Sequence, residues 1–276
     1  MSTLLQDLRY GLRMLAKAPV VSTVAALSLA LGIAANASIF AILNGFIFEP
    51  LPYQDQDRLV LLREGRQGVT LEEFGGASMG NFRDYEASAR TLESAMIYTI
   101  ASANLTGGDV PEQLSVVEGT PNLFEVLGVQ PALGRSFRQE EGTEGLGRVV
   151  VLEHDFWQRR FLGQRDVLGM TLTLDGMQYT VVGVMPESFD MIPANVDVFR
   201  PTDFSERREN RRNRNFISFA RLAPGASVGG VQQELEGIWA GLERAYPDDN
   251  RGLTVQAVRA GDFFPGPTDQ KLVMIL

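Results

Sequence analysis

Between Ala18 and Phe48 the chain carries no charged residue. That run of 31 residues exceeds the roughly 20 that cross a bilayer core as a helix. As a helix of a soluble protein it would need apolar cover on every side. Arg9, Arg13 and Lys17 precede the run, and Glu49, Asp55 and Asp57 come after it. By the positive-inside tendency the N-terminus is cytoplasmic and the region beyond Phe48 lies outside. A cleavable secretion signal is the competing reading, because Ala35-Asn36-Ala37 has the small-x-small form of a cleavage site. Against it, Ser38 to Leu43 continues the apolar character past that point. An uncleaved span over 19–48 is therefore expected. Small residues recur along it, including Ala30, Ala34 and Ala37, and Asn36 and Asn44 are costly toward lipid. A helix packed against other helices has a use for both.

The segment before the run also has a pattern. Leu4, Leu5, Leu8, Leu12 and Leu15 share one helical face, with Arg9, Arg13 and Lys17 beside it. This reads as an amphipathic helix over 1–18 lying on the cytoplasmic membrane surface and ending before Pro19. The same face could instead pack on protein. At the other end, "KLVMIL" reads as the first turn of a second span over 269–276, leaving 49–268 as one extracytoplasmic insert.

Composition narrows what the insert can do. Residues 49–270 hold 33 acidic and 21 basic side chains, a balance that argues against nucleic acid as a partner. The chain has no cysteine and one histidine, His154. Disulfides, thiol catalysis and multi-histidine metal sites are excluded. No GxxxxGK[ST] loop is present, so the chain does not itself cradle nucleotide phosphates in that way. No catalytic, cofactor-binding or metal-ligating residue is assigned, and no cofactor is expected.

Strands are legible at 58–63, 95–101, 114–118, 149–152 and 196–199. Runs 170–174 and 178–184 flank Asp175-Gly176, a hairpin signal. Helices are expected over 81–92 and 121–127. "FISFARL" (216–222), a helix with Val231, Leu235, Ile238 and Leu242 on one face, and "LTVQAV" (253–258) form a strand–helix–strand unit. Its length predicts parallel pairing of the two strands. The fold class is α+β: one N-terminal transmembrane helix, then an extracytoplasmic α+β domain of two subdomains.

Three stretches could carry chemistry. Gly76-Ala77-Ser78-Met79-Gly80 matches the G-x-S-x-G nucleophile elbow, with Asp84 or Asp109 and His154 coming later in hydrolase order. The elbow must follow a core strand, and "TLEEFGGA" is not one; Ser78 is expected in a loop or at a helix start. His154 is expected at a helix start as well. "SERRENRRNRNF" (205–216) could grip an acidic partner or lipid headgroups, but is expected to be a solvated segment balanced by Glu206 and Glu209.

The segments "LLQDLRYGLRMLAKAP" and "ALSLALGIAANASIFAILNGFIFEPLPYQDQDRLV" resemble the opening of the MacB-like, FtsX-type ABC transporter permeases, above all their large duplicated orphan-permease subgroup. "LFEVLGVQPALGRSF" (123–137), residues 149–189 and residues 219–247 are similar to successive blocks of that family's periplasmic core domain. Members run on past the position of Leu276 into further spans. The resemblance implies an inner-membrane permease component that is not itself an enzyme. Its partners would be a separate ATP-binding subunit, a second permease as homodimer or heterodimer, and a possible periplasmic protein. Such permeases couple ATP-driven movement of their spans to the outer domain, for export, extraction or activation of a periplasmic partner. The alternative is a single-pass anchored or secreted binding domain with no ATPase partner.

Overall fold

A computed structural model describes residues 17–48, 53–66, 68, 75–107, 111–143, 145–189, 191, 195–204 and 209–263. The expected surface helix, apart from its last two residues, and the expected start of a second span lie outside these. The chain divides into two units, residues 1–49 and 50–276.

In the first unit, α1 (Pro19–Phe48) is one continuous helix of 30 residues. At about 1.5 Å per residue it is long enough to span a hydrocarbon core of about 30 Å. Its described side chains are interrupted, at Val21, Ala25, Ala35 and Asn36 and from Ser38 onward. Among the described residues alone, no helix is long and apolar enough to cross a membrane.

The second unit is built on one ten-stranded sheet in the order β10-β1-β9-β2-β3-β8-β5-β7-β4. The strands are β1 (Leu59–Arg66), β2 (Leu92–Thr106), β3 (Glu112–Gly119), β4 (Leu133–Gly134) and β5 (Val149–Leu152). They continue with β6 (Thr171–Leu174), β7 (Met177–Val184), β8 (Val198–Pro201), β9 (Ile217–Leu222) and β10 (Leu253–Arg259). β6 pairs with β7 and also with the end of β2, where Leu105 faces Leu174. Strands β2, β3, β8, β5, β7 and β6 therefore close into a ring. A ring this small is filled by side chains, here Leu105, Leu114, Val116, Val150, Leu174, Val181 and Val198. The hairpin turn is the expected one: Asp175 at φ 49° and Gly176 at φ 79° give the two positive φ values that a type I′ turn requires.

Helices pack on both parts of the sheet. They are α2 (Met79–Ser88), α3 (Leu123–Leu127), α4 (His154–Phe161), α5 (Val228–Ala245), α6 (Pro247–Asn250) and α7 (Ala260–Phe263). Ser227 caps α5 by accepting from the Gly230 N–H at 3.2 Å. The face of α5 bearing Val231, Leu235, Trp239 and Leu242 is buried against Val60, Leu62, Phe82 and Val255. The second apolar cluster centres on Phe124, which meets Phe137, Phe189 and Phe199 with ring centroids 5.3–6.0 Å apart. The expected two parts are thus the open sheet with its helices and the closed ring, sharing β2.

Two local expectations are corrected. β9 and β10 do run parallel, but they do not pair. β1 lies between them, antiparallel to both, with seven residue pairs to β10 and three to β9. A strand from elsewhere in the chain fills the slot because its both-faces-buried run Leu59–Leu62 belongs in a sheet centre. The helix expected over 81–92 spans 79–88, because Leu92 opens β2 and pairs with Leu222.

Phe124 is fully buried at the centre of its ring cluster. Phe124→Ala is expected to lower the unfolding free energy by about 3–5 kcal/mol, measured by chemical denaturation.

Candidate functional site

The first and last described segments of the second unit lie at one corner of the sheet. The 3₁₀ turn Gln56–Arg58 lies just before β1, and α7 just after β10; the two pack together. The Arg63 guanidinium sits 4.2 Å from the centre of the Phe263 ring. Tyr53 packs edge-on against Phe219 at 6.3 Å. Because β1 and β10 are antiparallel, Val60 faces Arg259, so the start of β1 and the end of β10 are at the same end of this strand pair.

β1 also carries the most unusual side chain of the domain. Glu64 has the same parity as Val60 and Leu62, so it points into the same buried layer, and it is 1% exposed. Four donors meet its carboxylate. They are the Ser78 N–H and hydroxyl, each at 3.1 Å, Asn81 Nδ2 at 2.9 Å and Arg214 Nε at 2.9 Å. Burial pushes the Glu64 carboxyl above its usual range; the Ser78 N–H, the Arg214 charge and the side chains of Asn81 and Ser78 pull it back without cancelling the shift. The network extends outward. Arg214 donates to the Asp249 carbonyl and to Asn250 Oδ1. Asn81 and Asn250 exchange amide hydrogen bonds at 3.0 and 3.2 Å. Buried Arg211 donates to Asn81 Oδ1 at 2.7 Å and Asp84 Oδ2 at 2.6 Å, and stacks on Tyr246 at 3.7 Å.

This arrangement decodes the G-x-S-x-G stretch. The Gly76 N–H donates to the Arg214 carbonyl at 2.8 Å, and a Cβ at Gly76 would stand 2.1 Å from the Phe216 carbonyl oxygen. Only glycine allows that approach. Ser78 is the residue before α2, fully buried, with its hydroxyl on Glu64. The Gly80 N–H donates to the Asn210 carbonyl at 3.0 Å. The motif is a clamp on residues 209–216, and Ser78 is not exposed to a substrate. His154 is the first residue of α4, as expected. Its ring meets Trp157 edge-on at 5.6 Å and lies 3.5 Å from Asp155, so Ser78, Asp84 and His154 share no contact among the described partners. Asp109 lies outside the described residues.

The arginine tract needs correction. Arg207 and Arg208 lie outside the described residues, but Arg211 and Arg214 turn inward to the carboxylates of Asp84 and Glu64. Among the described arginines of the tract only Arg212 stays exposed, paired with Asp249 at 2.6 Å. A run of arginines does not announce this; Glu64, in phase with Val60 and Leu62, is the signal that could have.

A cleft of about 240 Å³ lies beside α2, lined by Met79, Phe82, Glu86, Asn122, Asp203 and Phe204 among others. It is smaller than the roughly 300–1,000 Å³ of small-molecule sites. Among the described residues no group of three or more His, Cys, Asp or Glu side chains is placed to hold a metal ion.

The described residues of the second unit form an open α+β sheet joined to a closed strand ring, with the start of β1 and the end of β10 at one corner. The profile of the MacB-like periplasmic core domain family matches residues 22–238, and the chain belongs to that family. Its role is therefore transporter-associated and its folded domain extracytoplasmic. Solved structures share the fold. One is a domain of a protein named as a permease from Porphyromonas gingivalis, with TM-score 0.58 and 18% identity over 75% of this chain and 91% of that one. Another is the periplasmic region of MacB from Actinobacillus actinomycetemcomitans, with TM-score 0.53 and 12% identity over 81% and 94%. A third is the extracellular domain of the noncanonic ABC-type transporter YknZ from Gram-positive bacteria, with TM-score 0.51 and 11% identity over 72% and 99%. A comparison with curated proteins finds no match.

Glu64→Ala removes the carboxylate partner of half-buried Arg214 and leaves the buried donors of Ser78 and Asn81 unmet, and is expected to cost about 3 kcal/mol of stability, read by chemical denaturation. The pH response has a defined sign. A carboxyl raised in the folded state adds stability below its unfolded pKa, and that contribution is lost as pH rises through the raised value. Thermal melts should show the advantage of wild type over Glu64→Gln shrinking as pH rises out of the ordinary carboxylate range.

Proposed function

We propose that this chain is the permease component of an ABC-type transporter or mechanotransmission system. In this reading residues 1–18 lie on the cytoplasmic membrane surface and 19–48 span the inner membrane. Residues 49–268 form the periplasmic domain, and 269–276 begin a second span. A separate ATP-binding subunit supplies the energy, a second permease completes the membrane part, and a periplasmic protein is a further partner. Closing of the ATP-binding subunits shifts the spans, and the outer domain moves with them.

The observation that supports this best is the shared corner. A domain held at two adjacent points, through β1 and β10, moves as one body when those points move. Glu64 and its donors tie β1 to α2 and to α6, which stiffens that body behind the connection. Ala30, Ala34 and Ala37 recur at helical spacing on α1 and are exposed in that unit, a strip on which another helix can approach closely.

Affinity purification of the full chain from its own membranes is expected to bring down an ATP-binding subunit, and deletion of residues 1–48 to abolish this. Failure to recover such a subunit with the full chain would favour the anchored binding domain instead. In the purified complex, Ala34→Leu is expected to leave abundance and basal ATP hydrolysis unchanged while removing the nucleotide-dependent change in a fluorophore on the periplasmic domain. A normal fluorescence response would overturn the role given to this helix strip.

A further inference from the structure

Closing β2, β3, β8, β5, β7 and β6 into a ring removes most sheet edges. β10 is the outermost strand of the open part, paired on one side only, with β1, among the described residues. An edge strand offers a row of unmet N–H and C=O groups to any other strand. The segment Leu253–Val258 is uncharged and half β-branched, with Thr254, Val255 and Val258, and the first charge is Arg259. Such a segment pairs readily with its own copy.

One side chain meets that edge. Gln232 Nε2 donates to the Val255 carbonyl at 3.1 Å, and Gln232 Oε1 accepts from the Ala257 N–H at 2.9 Å. Val255 and Ala257 are two apart, so their polar groups point to the same side of the strand. A neighbouring strand running parallel would bond in this way through one residue, whose N–H and C=O reach residues on either side of Gln256. A primary carboxamide has the same donor and acceptor as a peptide group. Gln232 is held in that pose by a second donation from Nε2 to Glu236 Oε1 at 2.9 Å. Its neighbours Val231 and Leu235 anchor this part of α5 in the core.

We infer that Gln232 occupies the place of one residue of an adjoining strand and keeps β10 closed to pairing with a second copy of this chain. The occupant it excludes is β10 itself, because antiparallel self-pairing about Gln256 satisfies a two-fold axis and every outward polar group. In the assembled membrane protein this keeps the domains of neighbouring permeases from joining edge to edge, so that contacts elsewhere decide how they associate.

The test uses the full chain in detergent or lipid discs. Gln232→Leu keeps the bulk and deletes both hydrogen bonds. Because the sequence has no cysteine, a Gln256→Cys substitution gives a single thiol at the centre of the proposed pairing. Gln232→Leu with Gln256→Cys is expected to form the disulfide-linked dimer at least several-fold faster than Gln256→Cys alone. Hydrogen exchange at the Ala257 amide should rise roughly ten-fold in the monomeric fraction, as expected for loss of its acceptor. Gln232→Lys removes the acceptor of the Ala257 N–H and sets a positive charge on the edge. It should raise the exchange rate without the cross-link, which separates edge opening from general unfolding. An unchanged Ala257 exchange rate in both variants, or equal cross-linking with and without Gln232, would overturn the inference.

Discussion

β2 carries the domain. At 15 residues it is well beyond the usual strand length, and it serves two structures at once. Its first half pairs with β9 in the open sheet, and its last residues pair with β6 to close the ring. β3 runs along its middle and far part, from Tyr98 to Leu105. Burial follows this division. Met96 and Tyr98 contribute to the aromatic cluster around Phe124, Ala95 and Ile97 to the layer under α5, and Ala103 and Leu105 to the ring interior. One strand therefore contributes to three apolar clusters, and the one around Phe124 draws on both parts, with Leu59, Leu61 and Phe219 from the open sheet and Val151 and Phe199 from ring strands.

The polar network at Glu64 is the second constraint. A fully buried carboxylate is costly unless its acceptor capacity is used, and here the backbone N–H of Ser78 and three side chains, those of Ser78, Asn81 and Arg214, use it. The donors come from the residue before α2, from the first turn of α2 and from residues 209–216. The energy of satisfying Glu64 thus goes into fixing α2 and residues 209–216 to β1, the strand beside β10. For a domain whose proposed task is to follow a displacement, that rigidity is the useful property.

The edge of the open sheet shows the same economy. Among the described residues no further strand covers β10; a single carboxamide on α5 meets its central groups. At the far side closure of the ring leaves only the two-residue strand β4 as an end of the sheet.

Much of this was readable from residue order. The charge-free run Ala18–Phe48 determined a long helix, because no other structure satisfies that much apolar backbone, and the described residues Pro19–Phe48 are helical. Asp175-Gly176 determined its hairpin through positive φ, and the apolar spacing in 231–242 determined α5. These are local effects, settled within a few residues. Tertiary structure decided the rest. The insertion of β1 between β9 and β10 joins segments about 160 and 190 residues apart in sequence, which no local pattern encodes. Arg211 and Arg214 read as solvated charge until the fold brings Asp84 and Glu64 to them. Ser78 reads as a loop or helix-start residue, and the structure adds that its hydroxyl is spent on Glu64. A polar side chain's role depends on its partner, and here the partners of Glu64 lie 14, 17 and 150 residues along the chain. The sequence specified the elements, while only their assembly could specify which charges are buried, and against what.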